Sequence, residues 1–307
     1  MTPIPPLPPD APRATAAVFL RFEDVTQEGR LVLEAIPNAL GPAVWRAIIG
    51  RDPSARELFT RGIVPVLSRF VLEGKGGPLS ANAPVEAEGG CRLARSGDGR
   101  IVLDMWADLK APSGRTYGPP IAKDAEKVLV GRVYAEHVLT RPFALPGERR
   151  VRDLDFPGAP TLQGSRPATP PPESIATLPE GATPLEAAMA LDPVPLNFGL
   201  VHTDSNQHVN SLVYVRLFEE AALRRFVALG RGSNVLGREM DIIYRKPCFA
   251  GQTMRVVQRA FEHEGRLGVA AVLLDQAELG SGQSEREAPE PDFSQARPHA
   301  YVRMMFE

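Results

Sequence analysis

Cysteine is almost missing from this chain: Cys91 and Cys248 are the two present among 307 residues. They lie far apart, which argues against a disulfide framework and fits a reducing, cytoplasmic setting. There is no Cys-x-x-Cys and no histidine pair at ligand spacing, so a zinc site finds no support. Charge of one sign is not in excess. A net charge of -2 and a pI near 6.3 provide no electrostatic pull toward nucleic acid or an anionic membrane. No apolar run approaches the roughly 18 residues that a membrane-spanning helix needs. The opening Met1-Thr-Pro-Ile-Pro-Pro-Leu-Pro-Pro9 has neither the basic lead nor the apolar core of a secretory signal, and reads as a disordered lead-in. Glycine-rich phosphate loops are absent too, so no nucleotide cofactor is expected. What is present, 43% apolar and 23% charged residues, is the composition of a soluble globular protein. The length suits one large domain or two of about 150 residues.

Composition divides the chain. Between about 145 and 193, prolines 167, 170, 171, 172, 179 and 184 stand among Ser, Thr, Ala and Gly. Such a stretch buries little apolar surface and reads as a linker. A short Ala-rich piece within it, 184–191, suggests a helical turn or two. The expected layout is a disordered 1–14, a first unit 15–144, the linker 145–193, and a second unit 194–307.

In the first unit, strand-like runs occur at 17–22, 30–36, 85–93, 101–110 and 127–140, with helical segments expected over 42–49 and 63–72. The second unit repeats the theme. A short strand at 196–202 leads to a helix over 211–229, then strands at 239–244, 253–262, 266–274 and 300–306, with a long exposed loop at 277–298. The helix is the firmest element. Leu212, Val215, Phe218, Ala222 and Phe226 keep helical spacing, Asn210 or Ser211 can cap its start, and Gly230 can end it. One helix followed by an antiparallel meander, found twice, is an α+β arrangement.

Chemistry concentrates at His202-Thr-Asp-Ser-Asn-Gln-His-Val-Asn210, directly before that helix. Asp204, Asn206, His208 and Asn210 alternate, and an extended backbone would turn them toward one side, next to the unpaired N–H groups of a helix start. Such a place can bind and polarise a carbonyl. The same residues also suit a plain Asx-turn before a helix. A calcium loop is excluded, because its sixth and twelfth positions would be Val209 and Val215 rather than Gly and Glu.

The segment Asp-Ser-Asn-Gln-His-Val-Asn210, running on into Tyr214-Val-Arg-Leu-Phe-Glu-Glu-Ala221, resembles the active-site entrance of hotdog-fold acyl thioesterases. The wording is similar to plant-type acyl-acyl-carrier-protein thioesterases and, from Tyr214 onward, to the 4-hydroxybenzoyl-CoA thioesterase group. Downstream, Tyr244-Arg-Lys-Pro-Cys-Phe-Ala-Gly-Gln-Thr-Met-Arg-Val-Val257 resembles a strand and turn common to hotdog proteins. The two motifs cover roughly 196–260. The resemblance implies a tandem double hotdog, each unit an antiparallel sheet around a central long helix, forming an intrachain pseudo-dimer that can pair further as a homodimer. It implies a single working site, in the C-terminal unit, since the first unit has no counterpart of the motif.

The resemblance further implies hydrolysis of an acyl-CoA or acyl-acyl-carrier-protein thioester in fatty acid metabolism. Asp204 is then the candidate base or nucleophile, Asn206 an orienting amide, and His208 a proton donor or shuttle. Asn210 reads as the helix cap rather than a catalyst. One position departs from the plant pattern: the Glu that precedes the aligned cysteine is Pro247 here, so that carboxylate is missing. Cys248 keeps its place and is either a nucleophile near His208 or a small buried hydrophobe. The loss leaves two alternatives open, a non-catalytic acyl-thioester-binding protein and another enzyme of the same fold, such as a dehydratase or acyltransferase.

Overall fold

The computed structural model describes residues 1–122, 124–279 and 296–307. They form two compact units, 2–169 and 170–307. In the first, strands β1 (Arg13–Val18), β2 (Val64–Gly74), β3 (Val85–Ser96), β4 (Ile101–Pro112) and β5 (Lys127–Thr140) make an antiparallel sheet ordered β1-β3-β4-β5-β2. A two-residue strand, β6 (Ser165–Arg166), joins β3 in parallel.

Against one face of this sheet lies a broken helical run. It comprises a 3-10 segment Leu33–Ala39, a π turn Gly41–Arg46, a second 3-10 turn Ile49–Arg51, and helix α1 (Pro53–Thr60). Pro37 and Pro42 explain the breaks, since each removes a backbone N–H and crowds the preceding turn. The run sits so close that a Cβ added to Gly89 would fall 2.8 Å from Val44 Cγ2 and 2.9 Å from Ala43 Cβ. Glycine is what lets the backbones approach there.

The second unit begins with α2 (Pro172–Ile175) and three short strands, β7 (Thr183–Pro184), β8 (Ala190–Leu191) and β9 (Leu196–Asn197). Helix α3 (Ser211–Ala228) follows, then β10 (Gly237–Tyr244), β11 (Thr253–His263), β12 (Arg266–Asp275) and β13 (Ala300–Phe306). The long strands pair antiparallel in the order β10-β13-β12-β11, and β7, β8 and β9 each bond to the remaining edge of β11. That cover blunts an edge that would otherwise offer unpaired backbone groups.

Helix α3 buries Tyr214, Val215, Phe218, Ala221, Ala222 and Phe226, a stripe at three- and four-residue spacing. Phe226 meets Phe306 edge-on with ring centroids 5.0 Å apart, and Gln258 on β11 donates to the Ala221 carbonyl at 2.9 Å. The Asn210 side chain accepts from Leu212 N at 2.8 Å and caps the helix, while Gly230 takes φ +70° just beyond its end. Replacing Asn210 by Ala removes that acceptor and is expected to cost about 1 kcal/mol. Urea unfolding followed by far-ultraviolet circular dichroism measures it.

Several elements differ from the sequence-based expectations. The helix expected over 63–72 is strand β2; a bulge between Leu67 and Arg69 interrupts its alternation, and the irregular spacing resembles a helical period. The strand expected at 30–36 is largely the 3-10 segment, whose Leu33, Ala35 and Ile36 are all buried; a short apolar run carries no period to tell the two apart. β1 starts earlier than 17–22. The 196–202 strand is reduced to β9 followed by a 3-10 turn, Leu200–His202. Helix α1 was not anticipated, although Asp52 caps it through Ser54 N at 2.9 Å and Pro53 occupies its first turn. Helical turns at 184–191 do not form, because the ends of that piece are drawn into pairing with β11. The loop at 277–298 opens with a 3-10 turn, Gln276–Leu279, and its residues 280–295 lie outside the described residues.

The segments read as linker and lead-in carry packed residues. Val151 and Ile175 are buried, and Leu154, Phe156 and Leu162 pack on a cluster containing Ile63, Ile101 and Leu139. Arg166 reaches two carboxylates that water does not touch: Asp104 is 0% exposed and Glu136 1%. Its Nη2 donates to Glu136, and its Nε lies 3.1 Å from Asp104 Oδ2, close enough to pair although not aligned as a hydrogen bond. Arg92 also donates to Asp104, at 3.0 Å, as does the Tyr134 hydroxyl at 2.7 Å. Within 1–14, Ile4 is buried and Trp106 Nε1 donates to the Pro5 carbonyl at 2.7 Å, so the lead-in is docked rather than disordered.

Candidate functional site

The Asp204–Asn210 motif is a tight hairpin, not an extended strand. Thr203 and Val209 form an antiparallel bridge, Asp204 N donates to the His208 carbonyl at 3.1 Å, and Gln207 N donates to the Asp204 carbonyl at 3.0 Å. Gln207 turns the chain with φ +66°, a left-handed conformation that a side chain rarely adopts. The hairpin is closed at its base and tied there to the Cys248 segment. Asn210 N donates to the His202 carbonyl at 2.9 Å, and Val209 N to the Cys248 carbonyl at 2.8 Å.

This fold sorts the alternating side chains. The Asp204 carboxylate accepts from Asn206 N at 2.8 Å through Oδ1, an Asx-turn, and faces Asn210 Nδ2 at 3.4 Å through Oδ2. Asp204 and Asn210 are thereby brought together directly beside the first turn of α3. The Asn206 side chain is exposed, and the half-buried His208 ring places Nδ1 3.3 Å from the Val209 carbonyl. Neither bonds to the Asp204 carboxylate through its side chain among the described residues. His202 serves the turn before the hairpin, where its Nδ1 accepts from Gly199 N at 2.9 Å.

Behind the hairpin the floor is aromatic and closed. Tyr214 and Tyr244 pack edge-on with centroids 5.3 Å apart, and Phe198 lies 6.4 Å from Tyr214. The Tyr244 hydroxyl donates to the Ser211 carbonyl at 3.0 Å, and the Tyr214 hydroxyl accepts from Cys248 N at 3.2 Å. Burial raises the Tyr214 hydroxyl well above its ordinary pKa, with Cys248 adding to it. These bonds join the hairpin, the helix start and the 244–248 segment into one unit.

Cys248 is 0% exposed, and the imidazole beside its thiol is not His208. His299 Nδ1 lies 3.3 Å from Cys248 Sγ and 3.1 Å from the Pro247 carbonyl. Burial pushes the Cys248 thiol up to about 11, and burial together with Lys246 lowers the His299 pKa. Both shifts favour the uncharged forms of the thiol and the imidazole. His299 escaped the sequence reading because it sits at the entrance to β13, 51 residues from Cys248, with no motif around it. Cys91 is buried too, and burial raises its thiol to about 11. Neither cysteine is therefore expected to react promptly with a thiol-specific disulfide reagent at pH 7.5. Both should titrate once guanidinium unfolds the chain, a difference that absorbance reads directly.

Among the described residues, no group of three or more His, Cys, Asp or Glu is placed to hold a metal ion. None of the described helices is long and apolar enough to cross a membrane.

Long antiparallel strands lying on α3 in one unit, and on the broken helical run in the other, define a tandem double-hotdog protein of the α+β class. Among solved structures, the chain is similar to an acyl-ACP thioesterase from Bacteroides thetaiotaomicron VPI-5482, with a TM-score of 0.60, 14% identity, and coverage of 96% of this chain and 98% of that one. It is also similar to a 12:0-ACP thioesterase from Umbellularia californica, with a TM-score of 0.54, 15% identity, and coverage of 96% and 97%. At such identity the likeness establishes the fold. No family model and no curated protein sequence matches the chain.

Proposed function

We propose that this protein is a thioester hydrolase that cleaves an acyl-CoA or acyl-acyl-carrier-protein to a free acid and a thiol. The observation that carries the reading is the Asp204 carboxylate held 3.4 Å from Asn210 Nδ2, at the mouth of α3 in a double-hotdog chain. In this reading Asp204 takes a proton from water as the water oxygen attacks the acyl carbon. The carbonyl oxygen, gaining charge, lies toward the start of α3, whose positive dipole end stabilises it. Collapse of the tetrahedral intermediate breaks the carbon–sulfur bond, and the thiolate leaves with a proton returned through His208. Asn206 orients the acyl group through its amide. Cys248 is a packing residue in this scheme, since a buried thiol at about 11 is a poor nucleophile.

The layout that accompanies this reading places catalysis in 194–307 and assigns 15–144 a degenerate unit, with a cytoplasmic location and no resident cofactor. The choice between coenzyme A and carrier protein rests on basic side chains near the 244–248 segment, where Arg245 is exposed and Lys246 pairs with Glu278 at 3.2 Å. Thiol release from acyl-CoA of several chain lengths, repeated with acyl-carrier-protein substrates, tests the proposal. Turnover with at least one series is the expected result. Acyl-thioester binding without thiol release overturns it in favour of a non-catalytic binder.

A further inference from the structure

The first nine residues hold five prolines, Pro3, Pro5, Pro6, Pro8 and Pro9. Proline fixes its own φ and pushes the preceding residue into extended conformations, so such a run favours the three-residue-per-turn polyproline II helix. That period places Ile4 and Leu7 on one side. Both face the sheet of the first unit: Ile4 is 9% exposed and clusters with Val71, Trp106 and Tyr134, and Leu7 packs beside it.

The ground they occupy is built for them. Strand register aligns Gly90, Trp106, Tyr134 and Val71 in one row across β3, β4, β5 and β2, on the face opposite the broken helical run. The rows on either side are charged and ion-paired, through Arg92 with Asp104 at 3.0 Å and Arg132 with Asp108 at 2.9 Å. The result is an aromatic trench between two polar rails. At its β3 end, a Cβ on Gly90 would come within 2.8 Å of Leu7 Cδ2, so glycine leaves the seat that Leu7 fills. On the floor, Trp106 Nε1 donates to the Pro5 carbonyl at 2.7 Å. Tyr134 is held in place by its bond to Asp104 at 2.7 Å. Residues 3–9 add no strand to the sheet; they touch it through side chains and that single indole bond.

We propose that this trench is a recognition site for proline-rich peptides carrying apolar side chains three residues apart, and that residues 3–9 are its resident ligand in cis. An aromatic floor with an indole N–H aimed at a proline carbonyl is the chemistry by which preformed polyproline II helices are bound. The tether keeps the resident segment at an effective concentration in the millimolar range, so a free peptide competes poorly with it.

The test uses the full chain and a labelled peptide of its own sequence, Pro3 to Pro9. Leu7→Asp places a charge over Gly90 and releases the segment; that variant should bind the peptide, by fluorescence anisotropy, at least about tenfold more tightly than the wild type. Adding Trp106→Phe removes the indole donor and should weaken that binding about tenfold while circular dichroism stays unchanged. A peptide with Asp at both apolar positions should not bind. A folded Leu7→Asp chain that ignores the peptide, or binding indifferent to Trp106→Phe, overturns the proposal. So does unfolding of Leu7→Asp, because the segment would then be part of the core and not a ligand. None of these readouts depends on thioester hydrolysis.

Discussion

Replacing Arg166 by Met should lower the stability of the first unit by about 3–5 kcal/mol, the usual cost of stripping one partner from a buried ion pair. The side chain is 11% exposed and stands between Asp104 and Glu136, which have almost no contact with water. Burial pushes both carboxyls upward. For Glu136, Arg166 together with the Ser68 and Thr169 hydroxyls outweighs burial and holds its pKa below the ordinary value. Asp104 stays above its ordinary value despite Arg166, Tyr134 and Arg92. Without the guanidinium, Glu136 loses the cation bonded to it, and Asp104 keeps Arg92 and the Tyr134 hydroxyl. For a unit of this size the loss corresponds to a fall of roughly 6–20 °C in melting temperature. Arg166→Lys keeps the charge but not the fork, and should fall between the two. Combining Arg166→Met with Glu136→Gln should recover part of the loss, because the remaining side chain no longer carries a buried charge. Calorimetry of the four chains measures this, and a single Met variant melting within about 1 °C of wild type would show that the pairing contributes nothing.

The second large effect concerns turnover. Asp204→Asn should reduce thioester hydrolysis by about 10²–10⁴-fold, the range for loss of a positioned base. The substitution is informative because Asn keeps an oxygen for the bond from Asn206 N, at 2.8 Å in the parent, and gives up only the longer 3.4 Å contact with Asn210 Nδ2. Melting temperature should therefore stay close to the parent while kcat falls. His208→Ala should act on kcat in the same direction, since its ring bonds only at the margin, 3.3 Å from the Val209 carbonyl. If both variants turn over substrate at the parent rate, the hairpin is a structural turn and the catalytic assignment fails. Cys248→Ala provides the contrast: a buried thiol held near His299 should affect packing more than rate.

These two predictions draw on opposite features of the chain. Around Arg166 the structure removes charge from water and satisfies it internally, which is where substitution threatens folding. Around Asp204 the carboxylate remains partly open and bonded on one side to a main-chain N–H, where substitution should reach chemistry before it reaches stability. The Pro247 that replaces a glutamate in the resembling plant pattern lies behind this hairpin, next to His299. Its carbonyl lies 3.1 Å from His299 Nδ1, and the carboxylates that act on that imidazole are Glu278 and Asp275. In the proposed scheme Asp204 has to act without that second acid.

Helix α3 and its two ends were legible in the sequence, because apolar spacing, an Asn cap and a terminal Gly are local signals that packing reinforces. So were β3, β4, β5 and the meander from β10 to β13, each long and rich in apolar or β-branched residues. The polar cluster ahead of α3 was visible as composition, but its geometry was not. Which of its side chains meet depends on a left-handed Gln207 and on a bond to Cys248, 39 residues beyond Val209, and neither leaves a mark in the local pattern. β2 was misread because its bulge, defined by register with β5, breaks the period that identifies a strand. The proline-rich pieces were read as loose since proline cannot build helix or sheet. Their order comes instead from what waits across space: a Trp106 indole for Pro5, and two buried carboxylates for Arg166. Local periodicity thus determined the regular elements. Tertiary structure alone decided the buried charges, the docked segment and the hairpin, because each needs a partner distant along the chain.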